Sequence, residues 1–114
     1  LPMAYQQDAF AVMSREDVFQ IVKNFKTRLE SRGILVQKMY LYGSYAKGNP
    51  HYGSDIDICV ISPTFKNKFE AELLLSKEGV QIDSRIETVA YTPETFENWI
   101  PLVWEIKQNG IVMN

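Results

Sequence analysis

Apolar residues recur at helical spacing near the start of the chain. Between Ser14 and Gly33, apolar side chains occupy positions 18, 21, 22, 25 and 29, which predicts an amphipathic helix with one buried face. Ser14, with Asp17 three residues later, is typical of a helix start, and Gly33 is typical of a helix end. Residues 1–13 show no firm periodicity. We therefore predict a loose arm over 1–13, followed by a first helix.

Three later segments alternate apolar and polar residues as strands do: 35–42, 55–61 and 81–91. Because strand side chains alternate between the two faces, each segment has an apolar face and a second, mixed face. The second segment carries two aspartates on its mixed face, and the third carries charged residues there. The polar members of these faces are Asp55, Asp57, Asp83, Arg85 and Glu87, and Cys59 continues the same face.

The remaining segments predict short helices and a brief final strand. Residues 44–47 are expected to form a helical turn, and 66–77 a second helix that Gly79 stops. Thr92, followed by Pro93, signals another helix start. That helical stretch is expected to break near Pro101 and to precede a strand over 111–113. We expect core packing for the two tryptophans of this stretch, Trp99 and Trp104.

This order of elements predicts one α/β layer structure with a small sheet, covering residues 14–114. A chain of 114 residues has room for a single core.

The formal charge of −2 and the lack of a basic stripe argue against long nucleic acid as the main partner. Cys59 is expected to be a buried small apolar residue rather than a nucleophile. With neither a signal-peptide pattern nor a membrane-length apolar run, a cytoplasmic location is expected.

The segment 43–57 combines a glycine–serine turn with two carboxylates at i and i+2. Gly43 permits close backbone approach, and Ser44 supplies an N–H and a hydroxyl for a phosphate group. Lys47 is a candidate for a further charge contact to the same phosphates. Asp55 and Asp57 are candidate Mg²⁺ ligands, because Mg²⁺ takes oxygen ligands and bridges to substrate phosphates.

A third carboxylate would complete such a site, and Glu87 is our candidate, with Asp83 in reserve. Each feature also has an ordinary structural interpretation. A glycine–serine pair is often only a turn, two aspartates on a strand are often a solvated face, and Lys47 is by default an exposed charge. Glu87 alone would most often pair with a cation such as the nearby Arg85. The features carry weight because they occur together in one strand–turn–strand unit.

The segments 41–48 (LYGSYAKG) and 54–60 (SDIDICV) resemble the signature of the polymerase-β-type nucleotidyltransferases, and most closely that of their minimal, single-domain branch. Ten residues separate Ser44 from Asp55, as in that branch. The resemblance covers most of the chain from Leu35 onward. It implies the α+β nucleotidyltransferase fold, in which a small mixed sheet packs against helices.

The resemblance also implies site residues. Gly43 and Ser44 would hold the triphosphate, and Asp55 and Asp57 would bind two Mg²⁺ ions. The third carboxylate of the family stands about four residues before an aromatic residue, here Tyr91, which again indicates Glu87. The chain departs from the commoner pattern in having Glu rather than Asp at this position, and Lys47 where Arg is frequent.

Two functions follow as hypotheses. In the first, the protein transfers a nucleoside monophosphate, AMP from ATP, to an acceptor hydroxyl on a partner protein. In the second, it is an antitoxin-like binding protein that neutralises a helical partner of the HEPN type through its interface, with or without catalysis. Minimal members of the family often occur with such partners. Aminoglycoside-like acceptors rank lower, because the family members that modify them generally carry an added C-terminal domain. Extension of nucleic acid ranks lowest.

Overall fold

The computed structural model describes residues 8–97 and 99–114 of the chain. Within these residues the chain forms helices and strands in an order that agrees with the α/β prediction. A 3₁₀ turn, Thr95–Glu97, precedes the last helix. The elements are α1 (Arg15–Ser31), β1 (Lys38–Tyr42), α2 (Gly43–Lys47), β2 (Ile56–Ile61), α3 (Lys68–Val80), β3 (Ile86–Tyr91), α4 (Pro101–Asn109) and β4 (Ile111–Val112).

The first helix forms as its sequence predicts. The Ser14 hydroxyl accepts a hydrogen bond from the backbone N–H of Asp17, at 3.1 Å, and so caps α1. The predicted stripe faces inward, with four of its five members buried and Ile21 partly buried: Val18, Val22, Phe25 and Leu29. After the helix, Gly33 takes a φ of 81°, which reverses the chain towards β1.

The strands form one mixed sheet in the order β3-β2-β1-β4. β1 pairs antiparallel with both β2 and β4, whereas β2 and β3 are parallel. Since parallel neighbours need a crossover connection, α3 supplies it between β2 and β3. This arrangement confirms the predicted small mixed sheet packed against helices.

The two faces of this sheet differ. One face, called here the closed face, packs mainly against α1 and α3, with strand residues Met39, Leu41, Ile56, Ile58, Val60, Ile86 and Ala90 in the core. The other, called the open face, is covered in part by the 3₁₀ turn and α4, over Tyr40, Cys59, Ile61, Val89 and Tyr91. Cys59 is therefore buried, as expected, and burial raises the pKa of its thiol to about 12.

Three predicted boundaries are wrong. The strand expected over 35–42 begins at Lys38, and the strand expected over 81–91 begins at Ile86, because Asp83 and Arg85 form a turn held by their own side chains. α3 runs from 68 to 80, so Gly79 does not stop it. A Cβ at Gly79 would lie 2.9 Å from Ile86 Cγ2, and this glycine instead allows α3 to pack closely on the sheet.

The last helix also differs from its prediction. Thr92 and Pro93 lead only into the 3₁₀ turn, and α4 begins at Pro101 rather than breaking there. Proline at the first helical position is favourable, because its missing N–H would have no partner in the helix. The prediction of core packing for the tryptophans is wrong. Trp99 is 88% exposed and Trp104 is 53% exposed, since the buried face of α4 consists of Val103 and Ile106.

The predicted arm, residues 1–13, lies partly outside the described residues, which begin at Asp8. Its described part contacts the domain. The Phe10 carbonyl accepts a hydrogen bond from the Gly53 N–H at 2.8 Å, and the Met13 N–H donates to the Tyr45 hydroxyl at 3.0 Å. The boundary at residue 14 stays a prediction. None of the helices in the described part of the chain is long and apolar enough to cross a bilayer.

Candidate active site

The open face carries the predicted acidic residues where α4 does not cover it. Asp57 is the second residue of β2, and Asp55 comes directly before that strand. Asp57 is half-buried, whereas Asp55 is exposed. Further along the same face of β2 come Cys59 and Ile61, both covered by α4 and its 3₁₀ turn. The strand therefore changes from acidic to apolar along one face.

Gly43 brings the glycine–serine turn into contact with Asp57. In the antiparallel register of β1 and β2, Tyr42 lies opposite Asp57, so Gly43 follows immediately at the edge of the site. Gly43 has a φ of 74°, and a Cβ at this position would overlap the Asp57 carboxylate. Only glycine both adopts this backbone conformation readily and leaves room for the carboxylate. The turn and Asp57, one of the two aspartates predicted to bind metal, are thus held side by side.

Ser54 connects the turn to the loop before Asp55, a role that sequence reasoning missed. The Ser54 hydroxyl accepts hydrogen bonds from the Ser44 hydroxyl at 3.0 Å and from the His51 N–H at 2.9 Å. Ser54 is buried, and its own N–H donates to the His51 carbonyl. The position of Ser54 directly before Asp55 could have drawn attention to it, but the sequence does not show which groups its hydroxyl contacts.

Glu87 lies beside Asp57 on the neighbouring strand. The two residues are register partners in the parallel pair β2 and β3, so their side chains share the open face. The reserve candidate, Asp83, is occupied elsewhere. Both of its carboxylate oxygens accept hydrogen bonds from the Arg85 guanidinium, at 2.8 and 2.9 Å, and this contact lowers the pKa of Asp83. The structure therefore brings Glu87, and not Asp83, next to Asp57.

The electrostatics of the site disfavour a negative charge on Asp57. Partial burial raises the pKa of Asp57 from its ordinary 3.8 to about 6, with smaller contributions from the charges of Asp55 and Glu87. Burial and the neighbouring Asp57 also raise the pKa of the Tyr42 hydroxyl. No ion pair within residues 8–97 and 99–114 involves any of these three carboxylates. The site has excess negative charge that a bound cation would neutralise.

The donor set fits Mg²⁺ that is shared with a substrate. Among the described residues, no group of three or more histidine, cysteine or acidic side chains is arranged to hold a metal ion by itself, and this includes Asp55, Asp57 and Glu87. Mg²⁺ usually keeps several waters and is held by one or two carboxylates together with substrate phosphates, so a full protein cage is not needed. Asp55 and Asp57 provide such carboxylates beside the turn.

Lys47 does not lie free beside the turn. It is the last residue of α2, and its ammonium forms a 3.0 Å ion pair with Glu105 of α4. The hydrogen bond from Lys47 lowers the pKa of the Glu105 carboxyl. Lys47 thus links the helix that starts at Gly43 to the helix that covers part of the open face.

Comparison with known proteins gives a consistent result. A family model described as a nucleotidyltransferase domain matches residues 22–109. A protein of Methanocaldococcus jannaschii, named "Putative protein adenylyltransferase MJ0141", is 30% identical over 81 residues, which cover 66% of this chain and 80% of the relative.

Solved structures share the fold. A putative nucleotidyltransferase from Sulfolobus solfataricus superposes with a TM-score of 0.61 at 17% identity, covering 86% of this chain and 80% of the other. A variant of the toxin–antitoxin complex MntA-HpeT gives 0.60 at 22% identity, with coverages of 81% and 70%. A toxin–antitoxin complex with AMP-PNP gives 0.59 at 24% identity, with coverages of 80% and 71%. At these identities the structural matches establish the fold.

Proposed function

The chain belongs to the nucleotidyltransferase domain family and is a nucleotidyl-transferring enzyme; from this premise we propose that it transfers AMP from ATP to a hydroxyl group of a partner protein, with Mg²⁺ as cofactor. The observation that carries this proposal is the contact between Gly43 and Asp57. It joins a turn suited to phosphate and a carboxylate suited to Mg²⁺ so closely that a side chain at position 43 would overlap the carboxylate.

Each residue then has a role in holding the donor. The backbone N–H groups of Gly43 and Ser44 bind the β- and γ-phosphates, and Ser54 fixes the Ser44 hydroxyl. Asp55 and Asp57 would hold Mg²⁺, and Glu87 would complete the site for a second ion. When bound, Mg²⁺ would neutralise the carboxylates and the developing charge on the phosphates.

The chemistry is an in-line displacement at the α-phosphorus of ATP. The acceptor oxygen forms a bond to this phosphorus, the bond to the β-phosphate oxygen breaks, and pyrophosphate leaves. The acceptor proton passes to a carboxylate of the site, for which Glu87 is our candidate. Catalysis rests on positioning and charge neutralisation, as in other phosphoryl and nucleotidyl transfers.

Two comparisons support ATP and a protein acceptor. The archaeal relative is named as a protein adenylyltransferase, and one structural neighbour was solved with AMP-PNP. Several neighbours are toxin–antitoxin complexes, which supports a partner protein; a protein of the HEPN type is our candidate for it. Within the described part of the chain, the unpaired negative charge of Asp55, Asp57 and Glu87 on the open face argues against long nucleic acid as the partner.

Labelled ATP tests the proposal directly. The protein is incubated with Mg²⁺, a lysate of the source cells and ATP labelled either at the α- or at the γ-phosphate. We expect label on a protein band only from α-labelled ATP, because the γ-phosphate leaves with pyrophosphate. The doubly substituted variant Asp55→Ala, Asp57→Ala is the control. The absence of α-label above this control would refute the proposal for those acceptors.

A matched pair of variants tests the third carboxylate. Glu87→Ala should reduce transfer to the level of the aspartate variants, while Asp83→Ala should retain it, because Asp83 is held by Arg85. If Asp83→Ala folds and binds ATP but loses transfer, Asp83 would have to be considered again as the third carboxylate.

The second candidate function is the antitoxin-like binding protein. The toxin–antitoxin neighbours favour it, because neutralisation of a partner needs only an interface. Co-expression with a helical partner encoded beside the gene distinguishes the two functions. If Asp57→Ala still neutralises the partner, binding alone accounts for the effect; if neutralisation is lost while the complex still forms, transfer is required.

A further inference from the structure

An apolar patch lies on the outer side of α4 and the segment before it. It consists of Trp99, Ile100, Leu102 and Trp104 and is called here the α4 patch. These residues, with Pro101 and Glu105, line a depression of about 680 Å³. Two large aromatic side chains left open to water on one small protein are unusual, and such patches mark interaction sites.

The fold itself does not use this patch. α4 is anchored to the sheet by Val103 and Ile106, which are buried against Tyr40, Cys59 and Val89. Successive helical residues point about 100° apart, so Trp104 projects away from this anchor, whereas Leu102, four residues before Ile106, lies at the edge of the buried face and is 36% exposed. The side chains that stabilise the domain and the side chains that form the patch are therefore different.

The α4 patch is connected to the candidate active site through an ion pair and α2. Glu105 lines the depression and forms the ion pair with Lys47, the last residue of the helix that begins at Gly43. α4 also covers the same sheet face that carries Asp57 and Glu87. A molecule bound on the patch would therefore lie next to Glu105, one short helix, α2, away from the turn at Gly43.

The chemistry of the depression favours a protein as the occupant. Among its described lining residues, the charged group is the Glu105 carboxylate, and neither lysine nor arginine lines it. Lys47 and Lys107 lie close by but are paired with Glu105 and Glu97. These two lysines therefore offer little free positive charge to nucleic acid. A small polar acceptor would meet few hydrogen-bonding groups. Exposed tryptophans beside aliphatic residues suit the apolar side chains of a protein segment, since tryptophan is enriched among the residues that dominate protein interfaces.

We propose that the α4 patch docks the acceptor protein through an apolar segment, and so places an acceptor hydroxyl beside Asp57 and Glu87. This inference rests on the proposed function. It adds that the acceptor is selected by α4, while the nucleotide is held by the turn at Gly43. Binding of ATP and docking of the acceptor should therefore be separable by substitution.

The chain offers a matched control surface. On α3, Phe69 and Leu73 are 76% and 54% exposed, and this helix packs on the closed face, opposite the carboxylates. The doubly substituted variant Trp99→Ala, Trp104→Ala removes the tryptophans from the α4 patch. The variant Phe69→Ala, Leu73→Ala removes comparable exposed apolar area at a distance from the site. Circular dichroism and thermal unfolding verify that both variants fold.

The experiment measures protein labelling from α-labelled ATP and, separately, affinity for a non-hydrolysable ATP analogue with Mg²⁺. We expect the tryptophan variant to label the acceptor at least about tenfold less than the wild type does. Its affinity for the ATP analogue should be unchanged. The α3 variant should label the acceptor as the wild type does. In parallel, the photo-crosslinking substitution Trp104→p-benzoylphenylalanine should capture the same protein that carries the AMP label, whereas Leu73→p-benzoylphenylalanine should not.

The outcomes separate the two proposals. If the wild type labels no protein, the proposed function fails and the docking proposal falls with it. If the wild type labels a protein and the tryptophan variant labels it equally well, the docking proposal is refuted and the proposed function stands. Crosslinking of position 104 to a second copy of this chain, or an equal loss of labelling in the α3 variant, would refute it as well.

Discussion

The closed and open faces of the same sheet serve different purposes, and β2 shows the difference within six residues. On the closed face, its Ile56, Ile58 and Val60 are fully buried beneath α1 and α3. On the open face, the strand begins with the half-buried Asp57 and continues into Cys59 and Ile61, which α4 and its 3₁₀ turn cover. One face stabilises the fold throughout, whereas the other is divided between packing and chemistry.

This division has an energetic cost that the closed face offsets. Partial burial places Asp57 where its charged form is disfavoured, and two further carboxylates lie near it without a cationic partner in the described residues. Without the burial on the closed face, the free energy of unfolding would be too small to tolerate such a group. The comparison predicts that substitutions on the open face change activity more than stability, and that those on the closed face do the reverse.

The largest effect is expected for Asp57→Asn. It removes one negative charge from the proposed Mg²⁺ site at nearly constant shape, so nucleotidyl transfer should fall by at least about 10³-fold. The same variant should unfold at a higher temperature than the wild type in metal-free buffer at pH 8, because the disfavoured charge is gone. Transfer assays and thermal melts with and without Mg²⁺ measure both effects. Retained transfer would mean that the open face is not the catalytic face.

Phe25→Ala tests the closed face. Phe25 is fully buried in α1 against the sheet, and its truncation should reduce the free energy of unfolding by about 3–5 kcal/mol. The transfer rate per folded molecule should stay near that of the wild type, provided that the assay is run well below the unfolding temperature. Urea unfolding and active-site titration provide the two values. A large rate loss in folded protein would contradict the separation of the faces.

Gly43→Ala tests the junction between turn and carboxylate. The positive φ makes any side chain here strained by about 1–3 kcal/mol, and the new Cβ would displace Asp57. A shift of about 1 Å in a catalytic group costs about 10²-fold in rate, so activity should fall by that order. Gly53→Ala, which also has a positive φ but open space around its Cβ position, is the matched control for strain alone. Equal activity losses in both variants would show that contact with Asp57 is unimportant.

The pH dependence of stability gives a smaller effect with a definite sign. Because the pKa of Asp57 is raised from 3.8 to about 6 in the folded protein, the native state binds a proton more readily than the unfolded chain. The metal-free wild type should therefore gain stability relative to Asp57→Asn as the pH falls from 7 to 4, and the gap between their unfolding temperatures should narrow. A gap that stays constant over this range would contradict the raised pKa.

The smallest effect is expected for Glu105→Gln. It removes the ionic partner of Lys47 without removing the side chain, so Lys47 becomes available to the triphosphate. Affinity for an ATP analogue with Mg²⁺ should increase by about two- to threefold, since an exposed ion pair holds Lys47 only weakly. The variant Lys47→Met should show no such increase, alone or combined with Glu105→Gln. An unchanged affinity in Glu105→Gln would place Lys47 outside the nucleotide site.

Local patterns predicted much of the fold and the members of the candidate site. Ser14 capped α1 as expected, the alternation along 55–61 placed Asp57 and Cys59 on one face, and register confirmed Glu87 as the neighbour of Asp57. The errors involve partners distant in sequence. Gly79 resembled a helix stop, but it contacts Ile86 of the sheet. The tryptophans were predicted to lie in the core because large aromatic side chains are usually buried. The face of α4 that meets the sheet instead carries smaller side chains.

The sequence by itself determined the family, the mixed α/β fold and the acidic residues placed on one strand face, because these depend on spacing along the chain and on side-chain period. Only the tertiary structure decided that Ser54 holds Ser44, that Lys47 pairs with Glu105 and that Trp99 and Trp104 face outward. The physical reason is that these contacts depend on which side of each helix packs on the sheet. That choice is settled by the combined burial of the whole core and not by any local segment.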